Sequence, residues 1–336
     1  MTEIIKITVS IIPVFVFLVA LIFIDSYKLV NLWSIVKTIL AGFLVAFFCF
    51  AINSNLINLN IISGVNFSRY IAPVIEESAK AIVIFYLFQS KKIGFLVDSA
   101  ILGFAIGAGF AAIENIYYLY TLDDSNILLW IIRGFGTAVM HGGTTAIFAI
   151  ISKSYSDRYS SFKIHLFLPG LAAAIVIHSI FNHFFLSPFI SMLGQLIVLP
   201  VLLYFIFHHS EVMLRDWLEL GLDVDVFLLE EINSGKFSET KLGKYLSTLK
   251  DKFPGEIIAD LLCYIRIHLE LSIRAKGILL LKESGFPVVL DQDIKDKFNE
   301  LKYLEKSIGK TGKLAISPIM HTSTRDLWQL YLLNKS

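Results

Sequence analysis

Apolar runs of about 20 residues, the length a helix needs to cross a hydrocarbon core about 30 Å thick, recur throughout the N-terminal part of this chain. They lie at roughly 4–24, 31–52, 70–89, 98–120, 127–151, 166–186 and 188–208. A segment in lipid must satisfy its backbone groups internally, so such runs fold as helices. With 56% hydrophobic residues, 17% charged residues and a mean hydropathy of +0.70 over 336 residues, the chain is too apolar for an ordinary soluble protein. The expectation is an all-α, polytopic membrane helix bundle of about seven spans with a C-terminal helical cytoplasmic domain. The first run is longer than a signal-peptide core and "LIFIDSYK" offers no small-x-small cleavage site, so it reads as a retained span.

Charge sets the orientation and narrows the partners. Connections holding Lys28, then Lys91 and Lys92, then Lys153, Arg158 and Lys163 alternate with connections holding only Arg69, or Asp123 and Asp124, or no charge. Basic loops face the cytoplasm. The N-terminus is therefore expected outside and the C-terminus inside. Residues 1–208 form the transmembrane domain, and 209–336, where charges return every few positions, form a soluble helical domain. In that tail "PGEIIADLLCYIRIHLEL" starts with Pro254 at a first helical position and puts Ile257, Ile258, Leu261, Leu262 and Ile265 on one face. "DIKDKFNELKYLEKS" gives a second stripe of Phe298, Leu301 and Leu304. His268 and His321 read as ordinary tail residues. A net charge of +1 without a basic stripe gives no sign of a nucleic-acid partner, and none is expected; Cys49 and Cys263 lie in different environments and are not expected to pair.

The third run, "YIAPVIEESAKAIVIFYLF", carries Glu76, Glu77 and Lys80 in its interior. Each ionisable residue at mid-membrane costs about 2.5 to 3.5 kcal/mol on insertion scales. Lys80 stands one helical turn from both glutamates, but one lysine cannot neutralise two carboxylates. In the fourth run Gly103, Gly107, Ala111 and Glu114 share one face, where small residues let a neighbouring helix approach and carry Glu114 inward. The fifth run brings His141 among small and hydroxyl residues, and the sixth brings His178 and Asn182 one turn apart, with His183 off that face near the membrane edge. Counting from the outer ends at 1.5 Å per residue, Glu76 and Glu114 lie roughly 9 Å deep, His178 and Asn182 roughly 7 to 13 Å, and His141 roughly 20 Å. The polar groups thus reach overlapping depths from helices of alternating direction.

"EESAK", "FAAIEN", the histidine of "MHGGTT" and "HSIFN" resemble, in order, the EExxK, FxxxEN, histidine and HxxxN motifs of the PrsW family of intramembrane proteases, a distant relative of the CAAX prenyl endopeptidase and bacteriocin-processing group. The resemblance spans roughly residues 65 to 190 and leaves the tail unmatched. It implies a multi-pass protein of a bacterial cytoplasmic membrane that cuts single-span, membrane-anchored proteins, with anti-sigma factor processing as one such role. It also adds Asn115 to the candidate catalytic set of Glu76, Glu77, Lys80, Glu114, His141, His178 and Asn182.

Peptide hydrolysis needs a base for water, donors for the oxyanion and an acid for the leaving amine. Glu76 or Glu77, assisted by Glu114, is the expected base; His178 and Asn182 are the expected oxyanion donors; Lys80 holds a glutamate, and His141 orients a carboxylate or acts as acid. A cofactor-free site is favoured because there is no HExxH and a lysine opposes a cation. The zinc-dependent alternative uses Glu77, Glu114, His141 and His178 as ligands. The competing function is a proton-coupled transporter or ion pathway, since buried acids and histidines mark these too. The small-residue faces at Gly103 to Ala111 and around Gly142 and Gly143 are expected to leave room for an extended substrate.

Overall fold

A computed structural model describes residues 2–25, 27, 30–59, 63–122, 126–159, 163–234, 236–284, 286 and 293–320. Lys28, Asp123, Asp124 and His321 lie outside the described residues. The described chain is helical: α1 (Thr2–Ile24), α2 (Leu32–Asn58), α3 (Ala72–Gln89), α4 (Leu96–Thr121), α5 (Ile127–Tyr159), α6 (Ile164–His183), α7 (Pro188–Asn233), α8 (Lys241–Thr248), α9 (Gly255–Glu283) and α10 (Asp293–Met320). Among the described residues six of these, α1, α2, α4, α5, α6 and α7, are long and apolar enough to cross a membrane. The third expected span, α3, has 18 residues and carries Glu76, Glu77 and Lys80, which keeps it out of that set.

The described residues fall into two compact units, Met1–Ser210 and Glu211–Ser336. In the first, α4 is the central helix: 89% of its apolar window is buried, against 22% for α1 and 17% for α7. Lipid offers no hydrophobic drive between helices, so backbone proximity through small residues takes its place. A Cβ on Gly107 would sit 2.1 Å from the His141 carbonyl oxygen, and one on Gly103 would sit 2.8 Å from that of Thr145. This face, expected from the sequence to admit a neighbour, is packed against α5. On the other side Gly109 and Gly42 make the same close approach between α4 and α2, each with a would-be Cβ 2.2 Å from a carbonyl oxygen, of Ile39 and Ile106 respectively.

Two π-helical segments interrupt the regular ladder, Phe67–Ile71 before α3 and Arg133–Thr137 within α5. Such wide turns re-aim side chains and cluster at functional sites. The second one places Arg133, as described below.

The second unit packs α8, α9 and α10 around Leu242, Leu246, Leu261, Ile265, Phe298, Leu301 and Leu304, all buried. Ile257, Ile258 and Leu262 are partly buried against the same core. Pro254 stands just before α9 as its N-cap residue rather than at the first helical position. His268 is buried in α9, and desolvation pushes its pKa down to about 4.

Candidate active site

The site is assembled at one end of the first unit. The late turns of α2, α4 and α6 and the early turns of α3 and α5 meet there, because alternating helix directions bring those segments to the same level. Between them lies a cavity of about 790 Å³. Glu76, Glu114, Arg133, His141 and His178 line its polar wall; Phe47, Phe50, Ile57, Ile113 and Tyr117 line the apolar one.

A continuous chain of polar contacts runs through these helices. Asn53 Nδ2 donates to Glu76 Oε1 at 3.1 Å. Glu76 Oε2 is 4.0 Å from His178 Nε2, and His178 Nδ1 is 2.8 Å from Glu77 Oε1. Lys80 Nζ lies 2.6 Å from the same Glu77 oxygen and 3.2 Å from His141 Nδ1. His141 Nε2 is 2.9 Å from Glu114 Oε2. Arg133 Nη2 closes the chain 3.5 Å from Glu114 Oε1.

These contacts fix the protons. A lysine ammonium has only donors, so Nδ1 of His141 accepts and its Nε2–H donates to Glu114. Glu77 is an acceptor, so His178 carries a proton on Nδ1 and turns Nε2 toward Glu76. The Glu77 and Lys80 side chains are 1% and 0% exposed, whereas Glu76 and Glu114 are 14% and 25% exposed. Glu77 is thus sealed between Lys80, His178 and Thr144, whose hydroxyl donates to it at 3.5 Å. Glu76 and Glu114 are the carboxylates that can meet water or substrate.

Six of the eight expected residues, Glu76, Glu77, Lys80, Glu114, His141 and His178, form this one network. The other two have different partners. Asn115 is fully buried, donates to the Ser10 carbonyl at 2.6 Å and accepts from Arg133 Nε at 3.0 Å. Asn182 lines the cavity, but its Nδ2 donates to the Ser68 carbonyl at 2.9 Å. One of its two amide N–H groups is thereby engaged and the other is left for the cavity, whereas the Nδ1–H of His178 points at Glu77. His183 is apart from the network, stacked on Phe185 with ring centroids 5.1 Å apart. His141 meets Glu114 despite the depth difference reckoned from span ends. At 33 residues α5 is roughly 50 Å long, far more than the bilayer core, so its first residue does not mark the membrane edge.

Two further expectations change and one is narrowed. Lys80, expected to hold a glutamate, pairs with Glu77, while Glu76 is turned to Asn53 and His178. Arg133 supplies a second cation, so the three carboxylates face two positive charges rather than one. The space at Gly103 and Gly107 is filled by the α5 backbone, that at Gly142 by the Phe104 ring and that at Gly143 by Leu199. Open space lies instead in the cavity beside α2. Sequence reasoning missed Asn53, Thr144 and Arg133. An arginine in an apolar run was the available signal.

The residues also bear on a metal ion. Glu76, His141 and His178 each offer a ligand atom, all within 4.8 Å of one another. One carboxylate and two imidazoles is a donor set that zinc-type ions take at catalytic sites. Glu77 holding Nδ1 of His178 is the outer contact that orients a ligating imidazole. Lys80 is paired with Glu77, which offsets its charge toward a cation, and Glu76 turns toward the cavity. The set fits, and it differs from the sequence-based one in two places: Glu76 stands in for Glu77, and Glu114 is not among the three convergent donors.

A bundle of apolar helices closed around a buried carboxylate, histidine and lysine network defines a polytopic helical protein with a polar site at membrane depth. A family profile described as "PrsW family intramembrane metalloprotease" matches residues 31–207. The chain belongs to the PrsW family, and it is a membrane protease. It is similar to the protease PrsW of Clostridioides difficile (strain 630), at 24% identity over 191 residues covering 54% of this chain and 79% of that protein. No solved structure was found to match it.

Proposed function

We propose that this chain hydrolyses peptide bonds of membrane-anchored, single-span proteins inside the cavity beside α2, using Glu114 as the base for water and a zinc-type ion held by Glu76, His141 and His178. The observation that carries this reading is the orientation of His178: Glu77 takes its Nδ1 proton and leaves Nε2 facing Glu76. Bound there, such an ion supplies a polarised water and Lewis-acid stabilisation of the developing oxyanion. The chain does the rest. Glu114 Oε2 is held by the His141 Nε2–H, which leaves Oε1 toward Arg133 and the cavity as the proton acceptor. His141 presents its Nδ1 to Lys80, so binding an ion exchanges one of its two hydrogen bonds. Glu77, paired with Lys80, keeps its hold on His178 Nδ1 throughout. The apolar wall of Phe47, Phe50 and Ile113 receives the side chains of a substrate segment whose backbone is extended, since a peptide bond inside a helix has its carbonyl already engaged.

The same reading places the N-terminus outside, the 209–336 tail in the cytoplasm and the protein in a bacterial cytoplasmic membrane. The cut then falls near the outer face, where shortening of a substrate's external segment would expose it. Release of a membrane-anchored anti-sigma factor is the signalling use proposed for it. The test is reconstitution of the purified protein with single-span substrates and mass spectrometry of new termini. Termini that vanish in Glu76→Gln and Glu114→Gln, with a loss of about 10²-fold for the base, support the reading. Glutamate-dependent proton flux in the same vesicles, with no cleavage of any substrate, would overturn it.

A further inference from the structure

Arg133 is held on three sides by a single stretch of α4. Its Nη2 is 3.5 Å from Glu114 Oε1, its Nε donates to Asn115 Oδ1 at 3.0 Å, and its guanidinium carbon lies 3.8 Å from the centroid of the Tyr118 ring. The π-helical turn Arg133–Thr137 aims it there. Asn115 is itself anchored: its Nδ2 donates to the Ser10 carbonyl of α1 at 2.6 Å. α1 reaches that position because Gly134, next to Arg133, lacks a side chain. A Cβ there would sit 1.9 Å from the Val9 carbonyl oxygen and 3.0 Å from Ser10 Cα. The residues matched by the family profile begin at 31, so α1 lies outside them and yet is connected to the site at two points.

We infer that Arg133 is a positioning residue for the hydrolytic reaction, acting through Glu114, and that α1 belongs to the same device. The Ser10 carbonyl sets Asn115, Asn115 sets Arg133, and Arg133 sets the Glu114 carboxylate. A guanidinium braced by a ring face and a side-chain amide has little freedom, so it holds a positive charge at a set position 3.5 Å from Glu114 Oε1. His141 holds the other oxygen. If Arg133 or His141 is removed, the carboxylate is free to swing about the partner that remains. Asn115 is thereby reassigned from the reacting centre to its support.

This inference rests on Glu114 acting as the base. Arg133→Met, Arg133→Lys, Asn115→Ala and Glu114→Gln, and Arg133→Met combined with Glu114→Gln, are purified as full-length protein and compared in reconstituted cleavage. Removing an outer partner of this kind costs about 10- to 100-fold, and the loss is expected in kcat with KM changed less than about twofold. Arg133→Lys, which keeps the charge, recovers part of it. In the Glu114→Gln background Arg133→Met has no further effect, because the group it positions is already gone. A second readout needs no activity: the Glu114 carboxylate band, isolated as the infrared difference between wild type and Glu114→Gln, shifts in Arg133→Met and in Asn115→Ala. An equal loss in both backgrounds, a change confined to KM, or an unmoved band overturns the inference. A normal rate for Glu114→Gln itself instead overturns the base assignment on which it rests.

Discussion

Lys80 is the residue whose removal should be felt most sharply in stability. Its side chain is 0% exposed, its Nζ is 2.6 Å from Glu77 and 3.2 Å from His141, and it lies 4.7 Å from the centroid of the Phe110 ring. Breaking a buried ion pair by deleting one partner costs about 3–5 kcal/mol, because the other charge is left uncompensated. Glu77 would still receive the His178 N–H and the weaker Thr144 hydroxyl, which puts Lys80→Met near the lower end, about 3 kcal/mol. Removing the charge on both sides, with Lys80→Met and Glu77→Gln together, leaves no stranded ion. The double variant should therefore be more stable than Lys80→Met alone by about 1–2 kcal/mol, a non-additivity expected of groups in direct contact. The assay is reversible unfolding in mixed micelles, read by tryptophan fluorescence. A loss below about 1 kcal/mol for Lys80→Met, or a double variant that loses the sum of both single changes, would refute the buried-pair reasoning.

Other consequences are open to simple assays. Gly107→Ala puts a methyl group against the His141 carbonyl, where the gap is 2.1 Å; overpacking of this kind costs about 1–3 kcal/mol, and cleavage should fall along with the melting temperature, whereas a variant with both unchanged would contradict the α4–α5 packing. Cys263 is exposed and Cys49 buried, so a membrane-impermeant maleimide should label Cys263 only after the cells are permeabilised; labelling of intact cells would reverse the proposed topology. His268 in the folded tail has its pKa depressed by burial from 6.5 to about 4. The unfolded chain then binds the extra proton in that window, so tail stability is full above about pH 6.5 and declines as pH falls toward 4, by about 3 kcal/mol in all. Hydrogen exchange of the tail across that range should show the decline in the wild type and a flat profile in His268→Gln.

The sequence announces the helices well because lipid leaves the backbone few choices, and the glycine face of α4 could be read because small residues at one-turn spacing permit close approach. Glu76, Glu77, Glu114, His141 and His178 were legible for the related reason that charge and imidazole are costly in an apolar run. Their division of labour was not. Glu76 and Glu77 are neighbours in the chain, and only packing decides that Glu77 faces Lys80 while Glu76 faces the cavity. Helical periodicity allowed Lys80 either partner. Asn53 and Arg133 escaped notice because their importance comes from partners across helices, Glu76 on α3 and Glu114 on α4, that no local spacing encodes. Asn182 illustrates the converse: it shares a face with His178 but is bound to a backbone carbonyl of the π-helical turn before α3.

The ligand set is the central claim, and metal analysis coupled to cleavage tests it most directly. The full-length protein, purified and reconstituted, is assayed for bound divalent metal by mass spectrometry and for production of new substrate termini, before and after chelation and zinc return. The account predicts a stoichiometric ion in the wild type, lost together with cleavage in Glu76→Gln, His141→Ala and His178→Ala but retained in Glu114→Gln, where cleavage alone fails. Undiminished cleavage by protein stripped of metal, or metal retained by the Glu76 and His178 variants, would contradict it.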